Sequence, residues 1–285
     1  MKILSLGLLL VSLPVLAERN IFDLMYLPKK GTAFGTTTLT LTEGKIWGSA
    51  ATITESGYKL SQELGYTITD KLSLSTDINL LYRKSNYRYN IGLPSDSTYE
   101  RGVSDHSINV KFRAQEASLI VDLLGGVVFD TGHTKISNDR KKNNKQGGTS
   151  YKAGLSLGQK SSDFQWSILG QYERFSDHHI DESASTYGDS RMEGYNAYII
   201  RADVLKNVTE NSFARFYVLS DIIDSREGNG PIAYDPITSY ELGPEYQYFY
   251  SKDLLLKAGI SYATIKSTPS PTDTWNLNLS ATYQF

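Results

Sequence analysis

The last eleven residues of the chain alternate without a break. Trp275, Leu277, Leu279, Ala281, Tyr283 and Phe285 are apolar or aromatic, and Asn276, Asn278, Ser280, Thr282 and Gln284 between them are polar. Period two puts the two sets on opposite faces of an extended strand. A strand in a globular sandwich runs for about 5–6 residues, whereas crossing a bilayer at a tilt takes about 9–11. The same pattern returns upstream. Leu72, Leu74, Thr76, Ile78, Leu80 and Tyr82 alternate with Ser73, Ser75, Asp77 and Asn79, and Phe164, Trp166, Ile168, Gly170 and Tyr172 alternate with Gln165, Ser167, Gln171 and Glu173.

Twelve such segments are predicted, at 32–43, 57–69, 71–83, 104–115, 117–130, 149–160, 163–175, 194–206, 211–222, 238–251, 254–265 and 275–285. Their connections alternate in length. Asp70-Lys71, Glu116, Ser161-Ser162, Asn207 to Asn211 and Ser251-Lys252-Asp253 are short and rich in turn formers, while 44–56, 84–103, 131–148, 176–193, 223–237 and 266–274 are longer and polar. Transmembrane barrels have short periplasmic turns and long outer loops. The expected fold is therefore all-β, an antiparallel up-and-down transmembrane barrel of twelve strands, with both ends on the periplasmic side.

The remaining composition fits. Mean hydropathy is −0.34, and after residue 17 no apolar run is long enough for a spanning helix. Barrel strands dilute their apolar residues in this way. The 20 tyrosines suit interfacial positions. A net charge of −2 argues against a nucleic-acid partner, and the absence of cysteine excludes a disulfide framework. Lys2 followed by the apolar run Ile3 to Leu16 and by Val15-Leu16-Ala17 reads as a secretory signal. The expected division is 1–17 signal peptide, 18–31 periplasmic segment or short plug, and 32–285 barrel.

The aromatic final residue resembles those of Gram-negative outer-membrane barrels, and the hairpin from Gly65 to Leu74 resembles one found in outer-membrane transporters. The resemblance implies insertion by the barrel assembly machinery through the strand ending at Phe285, with outer-membrane lipid and lipopolysaccharide as surroundings. The translocators of autotransporters are also twelve-strand barrels, but they follow a passenger; here Glu18 to Gly31 is expected to be all that precedes the first strand.

Catalytic motifs are weak. Barrel phospholipases carry a His-x-Ser pair; His133 and Ser137 are four positions apart, roughly 13 Å along a strand, and His106 and Ser107 are adjacent and so face opposite ways. Omptin-type proteases pair an Asp-x-His with a second acidic pair; Asp177-His178-His179 has no such partner. Asp177, His178, His179, Asp181 and Glu182 are metal-binding residue types without a spacing that fixes a geometry. No catalytic residue, metal or cofactor is expected.

The polar parity lists the lumen. Its cations are Lys59, Lys111, Arg113, Lys152, Arg201, Arg215 and Lys257, and its anions Glu63, Asp77, Asp122, Glu173, Asp203, Asp221, Glu241 and Glu245. Twelve strands lie between a filled eight-strand barrel and a wide porin, so a narrow polar pore for small polar solutes is expected. A basic loop with Lys135, Arg140, Lys141, Lys142 and Lys145 is a candidate constriction, or a contact for lipid phosphates. The alternatives are a plugged barrel acting through its loops and an outer-membrane hydrolase.

Overall fold

The computed structural model describes residues 24–48, 51–89, 95–131, 133–137, 142–144, 148–161, 163–180, 190–225, 236–266 and 271–285. Its strands are β1 (Ala33–Trp47), β2 (Ala51–Thr69), β3 (Leu72–Tyr89), β4 (Asp96–Val103), β5 (His106–Glu116), β6 (Ile120–Phe129), β7 (His133–Ser137), β8 (Lys142–Asn144) and β9 (Ser150–Lys160). They continue with β10 (Phe164–Phe175), β11 (His178–Ile180), β12 (Ser190–Met192), β13 (Asn196–Thr209), β14 (Ser212–Ile223), β15 (Ile237–Ser251), β16 (Leu254–Lys266) and β17 (Thr272–Gln284). No helix occurs among the described residues.

Twelve of these strands close into an antiparallel barrel. Around the ring the order is β1, β2, β3, β5, β6, β9, β10, β13, β14, β15, β16, β17, and β17 returns to β1 from Phe34↔Gln284 to Ile46↔Thr272. The last residue completes the seam, since the backbones of Ala33 and Phe285 exchange two hydrogen bonds of 3.0 Å. Closure leaves the ring with no unpaired edge.

Three short turns share one construction. The hydroxyls of Thr69, Thr209 and Ser251 accept hydrogen bonds from the N–H groups of Lys71, Asn211 and Asp253, two residues on. Each turn sits beside a register shift, at Thr67/Thr69, Asn207/Thr209 and Phe249/Ser251. A hydroxyl that captures a nearby N–H favours a tight reversal, and the shift twists the strands into it.

The long connections differ from expectation. Within the segment 44–56, residues 44–47 and 52–56 continue the β1–β2 ladder, with Glu43↔Ser56 through Trp47↔Thr52 paired. β3 runs on to Tyr89, β4 pairs with it, and the backbones of β7 and β8 extend that sheet. A strand that stands above a membrane meets water on both faces, so it pairs without needing an apolar side. Alternation stops there while hydrogen bonding continues, and β2 reaches 19 residues.

The apolar residues are outside. Leu41, Leu64, Leu80, Ile108, Leu123, Leu155, Ile168, Ile200, Val218, Leu242, Ile260 and Leu277 are all exposed. Tyr66, Phe164, Tyr248 and Tyr250 lie near the short turns, and Trp47, Tyr172, Tyr198, Tyr240 and Trp275 toward the opposite rim. An apolar band between two aromatic girdles is what a bilayer selects; in water so large a patch would drive association. Buried positions are polar for the most part, including Ser107, Arg113, Asp122, Ser150, Gln165, Asp203, Gln247 and Ser261.

Candidate functional site

Four side-chain hydrogen bonds line the inner face of the closure seam. Thr36–Thr282 (3.2 Å), Thr38–Ser280 (2.7 Å), Thr40–Asn278 (2.8 Å) and Thr42–Asn276 (2.9 Å) join residues that face each other across β1 and β17. Polar residues at alternate positions of both strands, Thr36 to Thr42 and Asn276 to Thr282, bring a polar pair to every second rung, so the ladder follows directly from the sequence.

The end of the barrel with the short turns is occupied. Met25 and Leu27 are buried. The backbone N–H of Leu24 donates to Gln165 Oε1 at 3.0 Å, Lys111 Nζ donates to the carbonyl oxygen of Tyr26 at 2.8 Å, and the Arg113 guanidinium donates to the carbonyl oxygen of Met25. Gly158 makes room for Met25, because a Cβ there would collide with the thioether sulfur. Inward-facing Leu205, Phe213 and Leu255 add apolar bulk at this end, and the rings of Phe213 and Phe249 meet edge to face at 5.8 Å. The inward apolar set shares the parity of the charged residues and went unread because that parity was assigned to polar side chains.

Charges on the wall fall into two groups. On β5 and β6, Asp122 is fully buried and takes Arg113 Nε at 2.5 Å and Lys111 Nζ at 3.1 Å. Across the barrel, Asp203 on β13 takes Arg201 at 3.0 Å and Arg215 at 2.6 Å, and Arg215 reaches Glu245 on β15 at 3.3 Å. Glu245 also accepts from Gln247, and Glu241 accepts from Tyr217 and Ser261, at 2.6 Å each. Asp77 accepts hydrogen bonds from Ser107 and Asn109, and Glu173 accepts one from Ser150. Asp221 is on the inner face of β14 opposite Ile199 and Ser239. Tyr217, which carries its hydroxyl inward, was not among the sequence candidates.

The lysines are placed differently. Lys111, Lys152 and Lys257 line a cavity of about 360 Å³ together with Glu63, Asn109, Gln171 and Thr282, and Tyr26 and Pro28 of the N-terminal segment form part of its wall. Among the described residues no carboxylate oxygen lies within 4 Å of the amines of Lys59, Lys152 or Lys257. Lys59 is on the same face of β2 as Glu63 and is accessible to solvent. Phe34 also faces inward, and its ring lies over Gly65, where no side chain could fit beneath it.

Among the described residues the candidate catalytic groups are not brought together. His106 Nδ1 is 2.8 Å from the Thr131 hydroxyl, while Ser107 turns inward to Asp77. The side chains of His133, Ser137, His178 and His179, and all of Asp181 and Glu182, lie outside the described residues. Asp177 accepts from the backbone N–H of Gly194 at 2.8 Å. No group of three or more metal-binding side chains occurs among the described residues. Of the basic loop, the backbone of Lys135 lies in β7, opposite Arg101 of β4, and that of Lys142 in β8; Arg140, Lys141 and Lys145 lie outside the described residues.

A closed twelve-strand ring, apolar outside and charged within, is the architecture of an outer-membrane barrel. No protein-family model and no curated protein matches the chain. Solved structures do. A crystal structure of the COG4313 outer membrane channel from Pseudomonas putida F1 is similar at a TM-score of 0.67, with 17% identity, over 94% of this chain and 100% of that one. The transport unit of the autotransporter AIDA-I from Escherichia coli gives 0.62 with 11% identity over 93% of each chain. The translocator domain of the autotransporter NalP from Neisseria meningitidis gives 0.54 with 11% identity, over 90% of this chain and 89% of that one. At such identities the likeness is one of fold, that of Gram-negative outer-membrane barrels.

Proposed function

We propose that this protein is a narrow passive channel for small polar solutes in the outer membrane of a Gram-negative bacterium, and that it has no catalytic activity. The carrying observation is the cavity inside the barrel, lined by ionic and amide side chains, with a solvent-accessible Lys59 elsewhere on the inner wall. A barrel that served only as a scaffold has no need of amines held clear of direct carboxylate contact in its lumen, since each costs desolvation free energy unless water or a solute attends it. Lipid and lipopolysaccharide surround the apolar band, and the strand ending at Phe285 is what the assembly machinery engages. Recording from planar bilayers tests the reading: purified, folded protein should give discrete conductance steps, and their absence at high salt would sink it.

One observation favours a second reading. The N-terminal segment fills the end with the short turns, and Arg113, Lys111 and Gln165 hold its backbone. If that closure is permanent, the barrel is a scaffold working through its loops. Solute flux into liposomes decides between the two, because a plugged barrel leaves swelling rates at the protein-free level.

A further inference from the structure

We propose that the cavity bounded by the N-terminal segment is a binding site for small oxyanions, so that the channel prefers anions. This rests on the channel reading above and names its solute class.

Two amines clear of carboxylates, Lys152 on β9 and Lys257 on β16, line one cavity, and Lys111 on β5, whose ammonium also holds Asp122 and the Tyr26 carbonyl, lines it as well. β16 stands across the ring from β5 and β9, so a ligand there is met by cations from opposite sides. The inner face carries eight carboxylates against seven cations, but most of the carboxylates are drawn into the wall. Asp122 and Asp203 each serve two basic side chains, Glu245 serves Arg215 and Gln247, and Asp77, Glu173 and Glu241 accept from neutral hydroxyl and amide donors. Among the described residues Glu63 is the one carboxylate on the cavity lining.

The geometry suits a ligand with several oxygens. An ammonium offers three donors that rotate freely, and amines spaced around a void can each take a different oxygen. Asn109 and Gln171 add amide groups at the same lining, and Gly154, on the inner face between Lys152 and Ser156, leaves room on that wall for a ligand to approach. The volume holds a small dianion with a few waters. Carboxylate and phosphate oxygens satisfy the same donors, so both classes fit.

The test uses the full protein in planar bilayers under a tenfold KCl gradient. The reversal potential should have the sign of chloride permeation. Inorganic phosphate and, separately, succinate should reduce the chloride current, and comparison of the two separates a phosphate site from a carboxylate site. In Lys152→Gln and in Lys257→Gln the block should weaken about tenfold, the loss that follows removal of one charge-assisted hydrogen bond. Lys152→Arg should retain it, and Lys252→Gln, on an exposed turn, should leave it unchanged. A cation-preferring current, or a current that neither anion blocks, overturns the site and leaves the channel standing. If no current passes, the channel reading falls, and calorimetric titration of phosphate into the detergent-folded protein decides: binding lost in both Gln variants supports the site, and no binding overturns it.

Discussion

The guanidinium of Arg113 donates to the carbonyl oxygen of Met25 while its Nε holds Asp122 at 2.5 Å, so one side chain ties the N-terminal segment to the barrel wall. In Arg113→Ala the Asp122 carboxylate keeps Lys111, whereas the Met25 carbonyl loses its charged donor. A charged hydrogen bond contributes about 1.5–3 kcal/mol, so amides of residues 24–31 should exchange with deuterium roughly ten times faster or more. Unchanged exchange in that peptide would show that apolar packing of Met25 and Leu27 holds the segment without the arginine.

Two lumen carboxylates should respond unequally to neutralisation. Asp203 bridges two arginines and Glu241 accepts from a phenol and a hydroxyl. Asp203→Asn leaves Arg201 and Arg215 short of a counter-charge, and breaking a buried pair costs about 3–5 kcal/mol, less here because both arginines are partly exposed. Glu241→Gln can still accept from Tyr217 and Ser261, and should cost about 1 kcal/mol. Urea unfolding in lipid vesicles measures both, and equal losses would contradict the assignment of partners.

Phe34 and Gly65 are coupled by shape. A Cβ at Gly65 would run into the Phe34 ring, so Gly65→Ala should destabilise the barrel by about 1–3 kcal/mol through overpacking. Adding Phe34→Ala should recover part of that loss, with a coupling of about 0.5–3 kcal/mol between the two sites. Additive losses in the double-mutant cycle would place the ring elsewhere.

Membrane placement has its own test. Ile200 lies in the apolar band and Tyr250 beside a short turn. Ile200→Lys should cost about 2–4 kcal/mol and Tyr250→Lys about 0–1. Chemical unfolding from bilayers reads the difference, and comparable costs would mean that Ile200 does not face hydrocarbon.

All twelve ring strands were legible in the sequence because each must present an apolar face to lipid, and β17 shows this without interruption. Turn positions such as Asp70-Lys71 were legible from their composition. The extensions of β1, β2 and β3 were not, since Gly44 to Trp47 and Thr52 to Ser56 pair without the apolar–polar alternation of the ring. Parity placed Lys111, Asp122, Arg215 and Glu245 on one side, but it is blind to partners. That Arg113 reaches Asp122 and Met25, while Lys152 keeps its amine clear of carboxylates although Glu173 stands opposite it in the ladder, depends on tilt and reach across strands. Phe213 and Leu255 broke the polar-inside rule at the end with the short turns, where Phe213 meets the Phe249 ring.

The seam between β1 and β17 also sets a clock on assembly. Thr36 and Thr282 are 246 positions apart, and no shorter stretch of chain can bring their strands together. Contacts of such high sequence separation are the slowest to form, because the chain between them must be ordered first. The hydroxyl and amide ladder from Thr36 to Thr42 should therefore be absent from every partly inserted species and appear in the final step, as the chain becomes a ring.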